Sequence, residues 1–165
     1  MSNAEGRMLL ATSNKSELAV GYSTLYGDMC GGLMPLGDLY KTEAFALARW
    51  MNRHHVRLGF AEEPIPSSSI EKPPSAELRP DQCDEDSLPA YDLLDAILRL
   101  RIDEERSLET IVGTLGVDAS LVGDVESLIT RSEFKRFQST VIPKLAPRTF
   151  GPGRSLPLAF RWQPS

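Results

Sequence analysis

Met8-Leu9-Leu10-Ala11 is a short unbroken apolar run that ends in the polar Thr12, the pattern of a buried strand feeding a loop. Ser13 or Asn14 follows as a helix-capping residue, which predicts a helix to about Thr24. Backbone N–H groups left free at such a strand-to-helix step favour anionic ligands. The stretch Tyr26-Gly-Asp-Met-Cys-Gly-Gly32 breaks the pattern and reads as a tight loop. Beyond it Tyr40, Ala44, Leu47, Ala48 and Met51 recur at helical spacing, predicting an amphipathic helix from about Lys41 to His54.

The periodicity then fails from Arg57 to Ser87, a stretch holding Pro64, Pro66, Ser67 to Ser69, Pro73, Pro74, Pro80 and the acidic run Asp81 to Asp86. Connections longer than about 12–15 residues are mostly lids or linkers, so 57–87 is expected to be one mobile loop. Leu88, Tyr91, Leu94, Leu98 and Ile102 next form a single stripe, with Asp92, Asp95, Arg99 and Asp103 expected on the water side. Ser107 is placed to cap a short helix ending at Gly116. Asp118 is placed to cap another, with the stripe Leu121, Val122, Val125, Leu128 and Ile129. The proline- and glycine-rich tail from Pro143 is expected to be irregular and to dock on the rest of the chain. The pattern is that of a mainly α chain with one or two short strands and no internal repeat.

At 165 residues, with 41% hydrophobic and 25% charged residues, the chain suits one modest domain. Met1 to Ala4 read as an expression-tag remnant, which leaves 5–165 as the natural sequence. No apolar run approaches the roughly 20 residues of a membrane span, and no signal-peptide pattern opens the chain, so a cytoplasmic protein without a membrane partner is expected. Cys30 and Cys83 are the only cysteines, and His54 and His55 the only histidines; neither a disulfide framework nor a spaced zinc cluster follows. A net charge of −5 disfavours binding along nucleic-acid phosphates. Ser107 to Val122 resembles a helix-turn-helix with Gly116 at the turn. Its second helix, however, opens at Asp118 and carries Asp124 and Glu126, poor chemistry for a phosphate-lined groove. Its cations come only at Arg131, Lys135 and Arg136, and no nucleic-acid partner is expected.

The segment Leu10-Ala-Thr-Ser-Asn-Lys-Ser-Glu-Leu-Ala-Val-Gly-Tyr-Ser-Thr-Leu-Tyr-Gly-Asp28 resembles the NAD⁺ synthetases, especially their glutamine-using branch. Further matches follow in the same order. Lys41-Thr42 comes after an apolar Pro/Gly stretch, Glu71 to Pro80 is similar to the family's flexible loop, and Ser132-Glu-Phe-Lys-Arg136 resembles its late basic motif. Phe150-Gly151 through Pro157-Leu158 is similar to its C-terminal end. The resemblance covers nearly all of the chain after residue 7. It implies the C-terminal part of a synthetase domain, a fragment of an α/β adenine-nucleotide α-hydrolase-like, Rossmann-like fold. The implied reaction is amidation of nicotinic acid adenine dinucleotide: ATP and Mg²⁺ activate the carboxylate as an acyl-adenylate, pyrophosphate departs, and ammonia attacks.

By that resemblance Thr12, Lys41 and Ser75 contact ATP, and Glu17 stands near magnesium or the dinucleotide. Tyr22, Ser23, Thr24 and Leu25 line the dinucleotide site, Asp28 lies near it, and Lys135 reaches it. Five of them have a plainer alternative: helix capping for Thr12, dipole-favoured surface for Glu17, core packing for Leu25, a local turn bond for Asp28, and a linker position for Ser75. Leu25 and Phe134 stand where the ammonia-using branch has lysine and histidine. No Ser-Gly-Gly-x-Asp-Ser loop occurs in these residues, so the pyrophosphate cradle is absent from them. The 165 residues alone are therefore expected to be inactive, and no catalytic residue is assigned. The resemblance further implies an N-terminal synthetase segment and a glutaminase segment in the same chain. It also implies a homodimer in which Leu18, Tyr22 and Leu25 face the partner. The alternative is a helical dimerisation module that binds no ligand.

Overall fold

The computed structural model describes residues 2–72, 88–151 and 153–158. Its helices are α1 (Ser2–Glu5), α2 (Lys15–Val20), α3 (Lys41–Arg53), α4 (Ser67–Glu71), α5 (Tyr91–Leu98), α6 (Leu108–Leu115), α7 (Ala119–Arg131) and α8 (Glu133–Arg136). Among the described residues there is no extended strand. Leu10 and Leu33 form one parallel bridge, and Gly151 and Arg154 one antiparallel bridge. Mainly helical architecture is thus as expected.

The Met8 to Ala11 run differs from its expected burial, since Met8, Leu9 and Leu10 are 68%, 53% and 49% exposed. The reason is that the run is paired only to 32–33: Gly32 N–H donates to the Leu9 carbonyl and Ala11 N–H to the Leu33 carbonyl. Gly31 permits this approach, because a β-carbon there would stand 2.7 Å from Ala11 N. Only Ala11, the last residue of the run, is enclosed by the core.

α2 is shorter than expected, and its ends explain why. Asn14 and Glu17 form a reciprocal capping box at its start. Gly21 closes it in the left-handed region at φ 70°, and Ser132 leaves no room there for a larger residue. Leu18, Ala19 and Val20 are buried against α5 and α7. At 1% exposure Leu18 belongs to the chain's own core and cannot face a partner.

α5 runs on into a wider π-helical turn, Arg99–Asp103, in which Glu104 N–H reaches the Arg99 carbonyl. The expected stripe of Leu88, Tyr91, Leu94, Leu98 and Ile102 is buried. The expected polar face is not uniformly wet. Asp92 is exposed, but Asp95 is 2% exposed and Asp103 half-buried, because α2 and α3 pack over this side of α5. α6 is capped by Ser107 and closed by Gly116 in the left-handed region, as expected. Asp118 stands at the N-cap of α7, but its side chain makes no capping bond. Val122, Val125 and Ile129 complete the core, with Leu121 and Leu128 half-buried around it. α3 is covered less than its pattern predicts: Leu47 is exposed and Ala44, Ala48 and Met51 are half-buried. Helix α4 interrupts the expected 57–87 loop, tied back by Asn52, whose side chain bonds both backbone groups of Ile65.

The tail after α8 is irregular and docks. Asp38 accepts from Leu145 N and Ala146 N, each at 2.7 Å, and Phe150 is buried beneath the Arg136 guanidinium.

Candidate functional site

The site is built where the first turns of α2 and α3 meet. Glu17, in the first turn of α2, receives the Asn14 N–H on Oε2 and the Lys41 ammonium on Oε1 at 2.8 Å. Lys41 opens α3, where its charge opposes the helix dipole. It is stabilised there by Glu17 and by the rings of Tyr91 and Phe45, at 5.4 and 5.8 Å from their centroids. The pair is only partly open to water.

The first N–H groups of α3 need acceptors, and Tyr40 at the N-cap provides none for them. Ser16 Oγ accepts from Lys41 N at 2.9 Å. Asp95 Oδ2 accepts from Thr42 N at 2.9 Å and from Thr42 Oγ1 at 2.8 Å, while Oδ1 accepts from Ser16 Oγ at 2.5 Å. Glu43 takes Tyr40 N. The N-terminus of α3 is therefore capped by residues from α2 and α5.

Beneath this lies a second charged cluster. The Lys15 ammonium is fully enclosed, 2.9 Å from Asp103 Oδ1, 3.1 Å from Asp38 Oδ1 and 2.7 Å from the Arg148 carbonyl. Tyr40 O–H donates to Asp103 Oδ2 at 3.1 Å. Burial pushes the Tyr40 phenol well above its ordinary value, the Asp103 charge adds to this, and Arg99 opposes it in part.

The loop after α2 carries the other predicted residues. Asp28 folds back on it, with Oδ1 accepting from Thr24 N and Oδ2 from Ser13 Oγ, each at 2.6 Å. Thr12 is exposed, and its N–H donates to the Asp28 carbonyl. Ser23 Oγ lies 3.2 Å from Met29 Sδ, Thr24 is exposed, and Tyr22 and Leu25 pack half-buried on the core. Lys135 Nζ donates to the carbonyls of Gly21 and Ser23, at 2.6 and 2.7 Å. Arg136 donates to those of Leu18 and Ala19, at 3.1 and 2.6 Å. The late basic motif thus satisfies the carbonyls at the end of α2, where cations are favoured.

Glu17 and Lys41 are brought together directly, as are Thr12 with Asp28, Thr24 with Asp28, and Ser23 with Lys135. Ser75 and Cys83 lie outside the described residues. Lys15, Ser16, Tyr91 and Asp95 carry the arrangement without having been singled out. Ser16 and Lys15 sit inside the Asn-Lys-Ser-Glu motif, whereas Asp95 gave no signal, since its position on the stripe reads as solvent-facing. Among the described residues no group of three metal-ligating side chains gathers, and no helix is long and apolar enough to cross a membrane.

This frame, with one parallel bridge ahead of a capped helix and the helices packed on one another, is a mainly helical piece of an adenine-nucleotide α-hydrolase-type fold. The crystal structure of a glutamine-dependent NAD(+) synthetase from Cytophaga hutchinsonii shares the fold at a TM-score of 0.66 and 22% identity, over 95% of this chain and 25% of that one. The NAD synthase family model matches residues 1–139, and the chain belongs to that family. It is 50% identical to the glutamine-dependent NAD(+) synthetase of Rhodobacter capsulatus, over 99% of this chain and 30% of that protein. It is 48% identical to the enzyme of the same description from Acinetobacter baylyi, over 99% of this chain and 29% of that protein. The chain thus spans less than a third of the length of these relatives.

Proposed function

We propose that this chain is the substrate-side portion of an NAD⁺ synthetase that amidates nicotinic acid adenine dinucleotide with ammonia drawn from glutamine. What supports this is family membership together with the Lys41–Glu17 pair, an ammonium and a carboxylate presented side by side at two helix starts. Lys41 meets the ATP phosphates as a point charge. Thr12 and Ser75 contact the nucleotide, while Tyr22, Ser23, Thr24, Leu25, Asp28 and Lys135 form the dinucleotide side.

In the reaction, a carboxylate oxygen of the dinucleotide attacks the α-phosphorus of ATP and pyrophosphate leaves. Ammonia then attacks the acyl carbon, AMP leaves, and the excess proton passes to solvent. Magnesium bound with ATP neutralises polyphosphate charge. Glu17, a hard oxygen donor, is the residue that would hold the ion. Lys135 and Asp28 act by holding the shape of the loop from Tyr22 to Asp28 against the end of α2.

The chemistry needs residues beyond these 165, including the pyrophosphate-binding Ser-Gly-Gly-x-Asp-Ser loop and a source of ammonia, both on one longer polypeptide with residues 5–165. That polypeptide works in the cytoplasm as a homodimer, with Tyr22 and Leu25, but not the buried Leu18, turned to the partner. The purified 165-residue chain, given ATP, Mg²⁺, ammonia and the nicotinic acid dinucleotide, is expected to form no NAD⁺, while the full-length protein does. Turnover by the 165 residues alone overturns the division of labour, and an unchanged KM for ATP in both the Lys41→Met and Glu17→Gln full-length variants overturns the site.

A further inference from the structure

Asp95 is a carboxylate removed from water that no step above uses. We propose that it is the positioning residue for Lys41, and that α5 grips Lys41 at both ends through Asp95 and Tyr91. The inference rests on the reading that Lys41 meets ATP.

A buried carboxylate is costly unless its lone pairs are filled. Asp95 fills them from Ser16 and from the backbone and hydroxyl of Thr42, at 2.5, 2.9 and 2.8 Å. Its charge lies against the N-terminus of α3, where the helix dipole favours an anion. Ser16, held by Asp95, in turn accepts the Lys41 N–H. The backbone of Lys41 is thereby fixed to α2, the helix that carries Glu17. Tyr91 lies four residues before Asp95, on the same face of α5, and its ring stands beneath the Lys41 ammonium. One helix face therefore holds the backbone at Lys41 and Thr42 through Asp95, by way of Ser16 and Thr42, and the ammonium of Lys41 through Tyr91. Any slippage of α3 against α2 would change the 2.8 Å contact between Lys41 and Glu17. Replacing the carboxylate by an amide keeps the volume but removes the charge at the start of α3 and exchanges one acceptor oxygen for a donor: turned to Thr42 it meets two donors, and turned to Ser16 it reverses that bond and leaves the hydroxyl proton without its acceptor.

The test is a double-mutant cycle in the full-length protein with Asp95→Asn and Lys41→Met, reading KM for ATP and for the dinucleotide separately. Asp95→Asn is expected to raise the ATP KM about tenfold while leaving the dinucleotide KM within about twofold, and to add nothing in the Lys41→Met background. Multiplying effects, or an equal rise in both KM values, overturn the proposal. An unchanged ATP KM in Lys41→Met overturns the assignment of Lys41 itself and this inference with it. An effect of Lys41→Met without one of Asp95→Asn overturns this inference alone. Should Asp95→Asn fail to fold, Thr42→Val and Thr42→Ser decide: the valine variant is expected to raise the ATP KM and the serine variant, which keeps the hydroxyl donor, to restore it. Equal values for the two overturn the proposal.

Discussion

Lys15 illustrates how much one residue carries here. Its ammonium is enclosed by Asp38, Asp103, the Arg148 carbonyl and the face of Tyr40, which ties α2 to the loop before α3, to the π-helical turn and to the tail. Lys15→Met would leave two carboxylates facing each other without a cation. Loss of one member of a buried ion pair costs about 3–5 kcal/mol, and urea denaturation of the variant is expected to show a loss of that order. Tyr40 adds a pH signature. Its phenol keeps its proton in the folded chain above the ordinary value of 10.0, whereas the unfolded chain gives it up. The stability this group contributes is complete below that value and declines as pH rises past it. Unfolding free energy is expected to fall between about pH 9 and about pH 11, and to fall less in Tyr40→Phe. None of this was visible in the spacing of polar residues, because a lysine between a helix cap and a serine reads as surface until its partners, 23 to 133 positions away, are brought in.

At the scale of elements, α2 and α6 carry their ends in their own residues. Asn14, Ser107, Gly21 and Gly116 mark their boundaries by side-chain chemistry or by the left-handed backbone that glycine tolerates. Only Gly21 escaped the sequence reading, which carried α2 on to Thr24. Gly21→Ala is expected to destabilise the chain by more than about 1 kcal/mol, since it meets both a positive φ and the Ser132 hydroxyl. A thermal melt checks the direction, and Gly116→Ala, where nothing crowds the added carbon, is expected to cost less. The start of α3 was placed correctly for a reason the sequence does not contain. No local residue caps Lys41 and Thr42; Ser16 and Asp95 do so from other helices. A cap supplied through space leaves no local motif, and the same is true of Lys135 and Arg136, whose cations end α2 from more than a hundred residues away.

At the scale of the molecule, the tail is what closes the structure. Phe150 is enclosed under Arg136, Asp38 holds the backbone at Leu145 and Ala146, and Glu133 takes Leu156 N. Phe150→Ala is expected to cost about 3–5 kcal/mol and to speed limited proteolysis between Ser139 and Leu158, read by mass spectrometry of the fragments. At the other extreme the Met8 to Leu10 edge remains open, although its residues read as buried. An apolar run reads as a buried strand, but both its pairing and its burial depend on neighbours, and here it makes one isolated bridge.

The sequence by itself determined the helical periodicities, the ends of α2 and α6 and, through the order of its motifs, the family, because each of these is written within a few neighbouring residues. Only the tertiary structure decided which charges are used internally. Lys15, Asp95, Arg136 and Lys135 make their hydrogen bonds to distant backbone, hydroxyl and carboxylate groups. Glu17 and Lys41 stand paired in a partly open position because those distant bonds set α2 against α3. Burial of a charge depends on what packs over it, and that is a property of the folded chain rather than of the pattern along it.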